Sequence, residues 1–390
     1  MRKSVAAIIT MVCLICIASC GGGSSTSSNT TAYDLPTPLA APYPALLGGV
    51  IQGKQLVLSG LVTTFAGGVA GFLDSGTAGG AKFYRPIALT TNGKNLYVAD
   101  YFNNAIRQVV IATGEVTTIA GNTAGLAGSA DGIGVSASFN RPSDITTDGT
   151  DLYVTDSVNY TIRKIELSTG NVTTVAGGVG LSGAIDSTVG LNARFGSLNG
   201  ITTDGTSLYA ADSNNTIRRI VISSGAVTTL AGSPGSGGSS DGIQSAARFN
   251  QPARITTDGI NLYLADFYNR TVRKIALATG TVTTIAGTLG PLGTDGGTTD
   301  GIGTAARFNQ PNGITTDGTN LYLTDSYNNT IRKIVIATGS VTTMIGISGT
   351  AGSVDTVQGP PSFNTPIGMT TDGISIFVAD SQNSSIRRIQ

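Results

Sequence analysis

The sequence contains no histidine and no tryptophan, and its three cysteines all lie within the first twenty of 390 residues. Without histidine the chain has no Ser–His–Asp or Cys–His relay and no imidazole metal ligand. Charged residues make up only 12% of the chain and the formal net charge is zero, so the basic footprint of a nucleic-acid-binding protein is missing. We therefore predict no nucleic-acid partner, and we recognise no catalytic set.

The first twenty residues have the composition of an export signal. Arg2 and Lys3 precede an apolar run that is short for a membrane-spanning helix. Cys13 and Cys16 form a CxxC inside this run, so a redox or metal role is not expected of them. The ending "IASC" resembles the bacterial lipobox, in which the signal is cut before the cysteine and that cysteine receives lipid. We predict a signal peptide at residues 1–19 and lipidation of Cys20; the alternative is an ordinary signal peptide on a fully secreted protein.

A polar, glycine- and proline-containing segment follows the signal. "GGGSSTSSNTT" has no apolar residues to bury, and "DLPTPLAAPYP" is spaced by prolines, so residues 20–55 are predicted to form a partly flexible, partly extended tether. With lipid on Cys20 as its membrane contact, the protein is expected in the bacterial cell envelope, outside the cytoplasm, on the outer membrane or the cell surface. Because no cysteine follows Cys20, the mature chain requires no internal disulfide.

Everything after residue 56 is repetitive. Three short phrases, "VTTxAG", "LYVAD" and "IRK", each recur six times at intervals of about 55 residues. The first phrase begins at Val62, Val116, Val172, Val227, Val282 and Val341. The second ends at Asp100, Asp156, Asp212, Asp266, Asp325 and Asp380, and the arginine of the third is Arg107, Arg163, Arg218, Arg273, Arg332 and Arg387.

Each repeat has the pattern of four short strands, with alternating β-branched residues separated by Gly, Asp and Asn turns. Six such units predict an all-β fold, a six-bladed β-propeller with four-stranded blades over residues 56–390. The last repeat stops after three strands, at "SSIRRIQ", whereas residues 57–67, "VLSGLVTTFAG", have the sequence of the missing fourth strand. We predict that this N-terminal strand completes the last blade and closes the ring, which removes two exposed sheet edges.

The phrase "DGIGTAARFNQPNGITTDGTNLYLTDSYNNTIRKIVIATGSVTTMIG" (300–346) resembles the NHL repeat, with its DG, its ARF-x-x-P-x-GI, its LYVAD and its N-x-x-IRK. The resemblance covers residues 56–390. It implies a propeller, and it leaves function open because NHL propellers serve as binding platforms in some proteins and as lyases in others.

Binding is expected on the face that carries the long loops between blades, since loops held by a rigid scaffold carry specificity. The turns between the second and third strands lie on this face and are aromatic in some repeats. They contain Tyr101, Phe102, Tyr160, Phe267, Tyr268 and Tyr327, a candidate rim for protein or sugar. The interpretation that we favour is that these rings pack beneath the loops. Arg85 and Arg254 are placed near the rim, where they could meet an anionic ligand or be ordinary surface residues.

Residues that recur in every repeat are interpreted as architecture. Asp325 and Arg332 stand for six such pairs, expected near the blade interfaces, and the phenylalanine of "ARFNQP" is expected in the core. Asp131, Asp241 and Asp300 precede glycine in the loops and could bind calcium through oxygen ligands, although no dense acidic cluster accompanies them. No other cofactor or metal is predicted.

Two classes of function remain, beside a purely structural role. The first is a monomeric, lipid-anchored, non-catalytic platform that binds a protein, peptide or glycan through its loop-bearing face. The second is a propeller enzyme of the lyase or lactonase type with a carboxylate or metal site in the central channel. A threonine-lined channel would favour the platform, and converging carboxylates would favour the enzyme.

Overall fold

A computed structural model describes residues 55–288 and 296–390. The predicted signal peptide, Cys20 and the tether up to residue 54 lie outside the described residues. Within the described ranges no helix has the length and apolar character needed to cross a membrane.

The described residues are almost entirely β-strand and turn. The first strands in chain order are β1 Val62–Gly67, β2 Pro86–Thr91, β3 Asn95–Asp100, β4 Ala105–Val110, β5 Val116–Ala120, β6 Gly132–Ile133, β7 Pro142–Thr147, β8 Asp151–Asp156, β9 Thr161–Glu166, β10 Asn171–Ala176, β11 Leu198–Thr203, β12 Ser207–Asp212, β13 Thr216–Val221 and β14 Val227–Gly232. They are followed by β15 Gly242–Ile243, β16 Pro252–Thr257, β17 Asn261–Asp266, β18 Thr271–Ala276, β19 Thr281–Gly287, β20 Gly301–Ile302, β21 Pro311–Thr316, β22 Asn320–Asp325, β23 Thr330–Val335, β24 Ser340–Ile345, β25 Pro366–Thr371, β26 Ile376–Asp380 and β27 Ser385–Ile389.

Single-turn 3-10 helices occur in the loops. They are Ala78–Gly80, Tyr101–Asn103, Gly134–Ser136, Gly190–Asn192, Gln244–Ala246, Gly303–Ala305, Ser326–Asn328, Thr356–Gln358 and Ser381–Asn383.

These strands form six antiparallel sheets in the part of the chain that is described, one for each blade. The blades are β2–β5, β7–β10, β11–β14, β16–β19, β21–β24, and β25–β27 with β1. Within the sixth blade β1 pairs with β27, and Thr63 lies opposite Arg388. The predicted six-bladed propeller and its closure by the N-terminal strand are therefore confirmed.

The core lies between neighbouring blades, because each sheet is covered on both faces. In β3, Leu96 and Val98 pack against the sixth blade, whereas Tyr97 and Ala99 point to the opposite face and pack against the second. Alternate residues of one strand thus serve two interfaces, which explains why "LYVAD" is apolar on both faces. The described residues hold six such interface clusters, and the one between the sixth and first blades completes the ring.

The blades differ from the prediction at their outer edges. In the second, fourth and fifth blades a two-residue strand, β6, β15 or β20, pairs with the outermost strand. It belongs to the loop arriving from the preceding blade, which runs along the outer edge before it turns inward to the channel. Single bridges, Ser75 to Val116 and Ser187 to Val227, mark the same course in the first and third blades. The loops therefore cover backbone groups that would otherwise be exposed at a sheet edge.

Candidate functional site

The polar residues that recur in every repeat form a buried clamp at each blade. In the third blade, the Arg218 side chain is 1% exposed and bridges two aspartates, Asp212 at 3.1 Å and Asp186 at 2.6 Å. Its guanidinium lies over the ring of Phe195 at 5.0 Å and also donates to the carbonyls of Ile185 and Arg194. The same set occurs in all six blades, which confirms the predicted Asp–Arg pairing and the buried phenylalanine.

The loop aspartates considered for calcium are part of these clamps. Asp131 accepts hydrogen bonds from Arg163 and from both the backbone N–H and the hydroxyl of Thr174. Asp241 is held by an arginine and a threonine in the same way, and Asp300 pairs with Arg332. These contacts give the three carboxylates a structural role. The described residues contain no cluster of three or more acidic or cysteine side chains able to hold a metal.

Burial raises the pKa of the clamp carboxyls, although the facing arginine and neighbouring hydrogen bonds oppose the shift. The affected groups, here called the buried carboxyls, include one channel residue, Asp144. They are Asp100, Asp144, Asp156, Asp266, Asp325 and Asp380, each with a pKa raised to about 6, and Asp212, whose pKa is raised.

The central channel is lined by the innermost strand of each blade, and the third residue of that strand decides how open the channel is. These residues are Ala88, Asp144, Gly200, Arg254, Gly313 and Gly368. Small residues are required where strands approach closely: a Cβ on Gly313 would overlap the carbonyl oxygen of Ile367. Asp144 and Arg254 are the two exceptions, and they face each other across the channel.

Arg254 and Asp144 together form a floor inside the channel. The Arg254 Nε lies 3.7 Å from the Asp144 Oδ1, and its Nη2 donates to the carbonyls of Ser143 at 2.8 Å and Ile87 at 3.1 Å. Asp144 in turn accepts from the backbone N–H of Ile201 at 2.7 Å. Both side chains are buried. With a further hydrogen bond from its Nη1 to Asn312, this one guanidinium ties together inner strands of four blades, the first, second, fourth and fifth.

This floor divides the channel into two compartments. Toward the short-turn face lies a small space of about 100 Å³. It is lined by one threonine from each blade, namely Thr90, Thr146, Thr202, Thr256, Thr315 and Thr370. Toward the loop-bearing face lies a cavity of about 410 Å³, which we call the upper cavity.

Two arginines and two aromatic rings form one side of the upper cavity. The guanidinium of Arg85 lies over the ring of Phe102 at 5.3 Å, and that of Arg141 lies 5.7 Å from the same ring and 5.8 Å from Tyr101. Tyr101 and Phe102 pack edge to face at 5.1 Å. Among the described residues neither arginine has an ion-pair or hydrogen-bond partner for its guanidinium, and the Arg85 Nε is buried without one. Unpaired charge therefore concentrates at this wall.

The opposite side of the upper cavity is built from amides. Asn312 accepts a hydrogen bond from Arg254 at 3.3 Å through its Oδ1, which leaves its Nδ2 available as a donor. Asn199 donates through its Nδ2 to the carbonyl of Pro252 at 3.1 Å, which leaves its Oδ1 available as an acceptor. Ile87, Ile367, Ser143 and Ser157 complete the lining, and none of the lining residues is a carboxylate.

The backbone at Arg85 and Arg141 follows the architecture of the ring. Both residues precede a proline and have left-handed φ values of 52° and 56°. Gln251, Gln310 and Thr365 occupy the equivalent position in other blades with φ values from 53° to 55°. The conformation is therefore common to most blades, whereas the arginine side chains are confined to two neighbours.

The structure brings together four of the eight predicted rim residues. Arg85, Tyr101, Phe102 and Arg254 line the upper cavity, but Arg254 lies inside the channel as its floor. The other four do not line it.

Those four residues are distributed around the ring. Tyr268 and Tyr327 are 49% and 59% exposed, and Tyr160 is half-buried. Phe267 packs against the core between the fourth and fifth blades and contacts Tyr268 edge to face, which agrees with packing beneath the loops.

Sequence reasoning missed Arg141, Asp144, Asn199 and Asn312. Two signals were present in the repeat alignment. "RP" occurs at Arg141 as it does at Arg85, and Asp144 stands where three other repeats have the glycine of "NGI" or "IGM".

Comparison with known proteins supports the repeat assignment. No family model matches the sequence. NHL repeat-containing protein 2 of Homo sapiens is 28% identical over 292 residues, which are 67% of this chain and 40% of that protein. The protein of the same name from Gallus gallus is 27% identical over 354 residues, 82% of this chain and 48% of that protein. The chain is a six-bladed β-propeller whose repeats are similar to those of NHL repeat-containing proteins.

The chain spans less than half the length of these curated relatives. Among solved structures, an auxiliary nutrient binding protein from Bacteroides thetaiotaomicron is 18% identical with a TM-score of 0.62, covering 85% of this chain and 76% of that chain. A protein of unknown function from the same organism is 20% identical with a TM-score of 0.63, covering 84% and 75%. At this identity the likeness concerns the fold.

Proposed function

We propose that this NHL-type propeller is a non-catalytic binding module that takes its ligand on the loop-bearing face, in and around the upper cavity. The observation that carries the proposal is the wall of that cavity, where two guanidiniums that have no polar partner among the described residues lie against aromatic rings. The cavity volume of about 410 Å³ is within the range of small-molecule sites, about 300–1,000 Å³. A side chain or terminal unit of a peptide or glycan would fit such a space.

The chemistry of the lining favours binding over catalysis. The described residues that line the upper cavity include no carboxylate, cysteine or lysine, and the chain has no histidine. Tyr101 is the one residue of this lining whose type can act as a general base, and its ring packs against Phe102 and Arg141. Asp144, the one acid beneath it, is held by Arg254 and two backbone N–H groups. The threonine lining below the floor agrees with a platform. The nutrient-binding propeller named above has the same fold, but the binding role proposed here depends on the cavity.

We further propose that the module is a monomer held in the cell envelope by lipid on Cys20. The course of the described chain is compatible with such a tether. The backbone N–H of Leu56 donates to Asp317 at 3.1 Å, and Asp317 lies in the turn between β21 and β22 on the short-turn face. The first described residues therefore contact the propeller on its short-turn face and do not line the upper cavity.

A tryptophan scan of the cavity tests the binding proposal, since the chain has no native tryptophan. Asn199→Trp would fill the upper cavity, whereas Gln251→Trp places the same ring at an exposed position outside its lining. Wild type and both variants would be screened by thermal shift against peptides and neutral and acidic oligosaccharides. We expect a ligand that raises the Tm of the wild type and of Gln251→Trp but not of Asn199→Trp. An equal response of all three, or chemical conversion of the bound ligand, would contradict the proposal.

The envelope proposal has a separate test. Wild type and Cys20→Ala would be expressed in a Gram-negative bacterium and fractionated. We expect the wild type in the membrane fraction and the variant released from it; identical distributions would contradict lipid anchoring.

A further inference from the structure

We propose that the upper cavity selects an acidic sugar, that is, a polyhydroxylated ring bearing one carboxylate or phosphate group. This inference rests on the proposed function and adds the chemical class of the ligand. Three features of the cavity wall carry it: the unpaired arginines, the complementary amides and the charge balance of the lining.

The first feature is the arginine pair. Arg85 and Arg141 come from equivalent positions in neighbouring blades, and both guanidiniums lie within 6 Å of the Phe102 ring centre. Stacking on an aromatic face fixes the plane of a guanidinium and leaves its N–H edge free. Two such edges on one wall suit a group with several acceptor oxygens, because arginine binds carboxylate and phosphate through paired hydrogen bonds. The buried, unpartnered Nε of Arg85 is a donor that such a group would satisfy.

The second feature is the pair of amides on the opposite side. The bond from Arg254 orients Asn312 so that its Nδ2 is free to donate, and the bond to Pro252 orients Asn199 so that its Oδ1 is free to accept. A hydroxyl group both donates and accepts, so a free donor and a free acceptor in the lining of one cavity fit a ring carrying several hydroxyls. An apolar acid would leave both amides without partners, which disfavours it.

The third feature is the charge of the site. Arg85, Arg141 and Arg254 line the cavity together, and among the described residues the acid that pairs with one of them is Asp144, which contacts Arg254 beneath the surface. The remaining positive charge lies in a concave site, where a counter-charge is attracted more strongly than on open surface. A neutral sugar would satisfy the amides but leave the arginines unpaired.

An arginine-to-glutamine substitution tests the role of the two arginines, because other blades of this chain already have glutamine at the same position. Glutamine occupies the position of Arg85 in the fourth and fifth blades, at Gln251 and Gln310, with the same left-handed φ. Arg85→Gln and Arg141→Gln are therefore changes that this fold already accommodates. Arg219→Gln is the matched control, because Arg219 is exposed on β13 and contacts Ser207 rather than the cavity.

The experiment is isothermal titration calorimetry of the full chain with glucuronate, glucose 6-phosphate and glucose. We expect at least one acidic sugar to bind tenfold or more tightly than glucose. The acid that binds more tightly shows whether the cavity prefers a carboxylate or a phosphate. Each cavity variant should weaken acidic-sugar binding by roughly 10- to 100-fold, the usual effect of losing a hydrogen bond to a charged group. Arg219→Gln should leave it unchanged.

Two results would overturn the inference. One is binding of glucose as tight as that of both acids, and the other is wild-type affinity for the acids in both cavity variants. If neither acid binds but another ligand raises the Tm of the wild type and not that of Asn199→Trp, the acidic-sugar inference fails. The proposed binding function is then still supported. If no ligand of any class distinguishes Asn199→Trp from wild type, the proposed function itself fails.

Discussion

Removing one buried arginine measures how much the repeated clamps contribute to the ring. Arg218→Met keeps an unbranched side chain over Phe195 but deletes the charge shared with Asp212 and Asp186. Asp212 then remains fully buried without its counter-charge, and breaking a buried pair in this way costs about 3–5 kcal/mol. The contact with the half-exposed Asp186 adds at most about 1 kcal/mol. For about 330 described residues, an unfolding entropy of about 2.1 cal/mol/K per residue converts this total of about 3–6 kcal/mol to a Tm roughly 4–9 °C lower.

The neighbouring residue provides the control. Arg219 lies next in β13 but points to the other side, is exposed and bonds only to Ser207 among the described residues, so Arg219→Met should shift the Tm by less than about 1 °C. Thermal melts followed by circular dichroism at pH 7.5 compare the two.

The effect of Arg218→Met should also depend on pH. Burial raises the pKa of Asp212 and the Arg218 charge opposes that rise, so the variant raises this pKa further. Asp212 can then take up a proton in the folded state, and the loss of stability should shrink at pH 5. Equal Tm shifts for the two variants, or a loss that does not change with pH, would refute the clamp argument.

Three further predictions concern the ring, the channel and the buried carboxyls. Val62→Ala in the closing strand should lower the free energy of unfolding by roughly 2 kcal/mol, as much as Val227→Ala in an internal blade, because both side chains are buried. If chemical denaturation shows no loss of stability for Val62→Ala, β1 does not complete the ring. Gly313→Ala should lower the stability by roughly 1–3 kcal/mol because its Cβ would overlap a backbone oxygen, whereas Gly76→Ala meets open space and should be neutral; equal midpoints would contradict the close approach. The buried carboxyls have pKa values that are higher in the folded than in the unfolded protein, so the stability that they contribute is present below about pH 4 and is lost as the pH rises through about 6. Calorimetry should therefore give a higher Tm at pH 5 than at pH 7.5. A Tm that rises from pH 5 to pH 7.5 would contradict this prediction.

The fold was predictable because six copies of one pattern carry the same information. A single "LYVAD" is ambiguous, but its recurrence with "IRK" and "VTTxAG" defines a blade, and the incomplete last copy predicts the pairing of Thr63 with the strand of Arg388. The Asp–Arg pairs were predictable for the same reason. The two-residue edge strands were not, since β6, β15 and β20 owe their pairing to the path of a loop rather than to their own residues.

The candidate site was predictable only in part, because it consists of departures from the repeat. The sequence analysis identified Arg85 and Arg254 as departures from the repeat. It did not predict that the side chain of Arg254 contacts Asp144 of the second blade, because the two residues lie far apart in the sequence. Aromatic residues in equivalent turns looked alike in sequence, yet Tyr101 and Phe102 line the upper cavity whereas Tyr268 and Tyr327 are exposed outside it. Packing around each turn decides which aromatic ring faces the channel axis. This packing involves residues from other parts of the chain, so the local sequence of the turn does not predict it.

The third residue of each inner strand and, in every blade except the third, the residue before the strand's first proline are variable positions that the clamps do not use. A duplication-built ring can therefore acquire a new ligand by exchanging a side chain at one such position while its scaffold stays intact. Engineers could exploit the same separation, for example by moving the arginine pair to the fourth and fifth blades, where glutamines now stand.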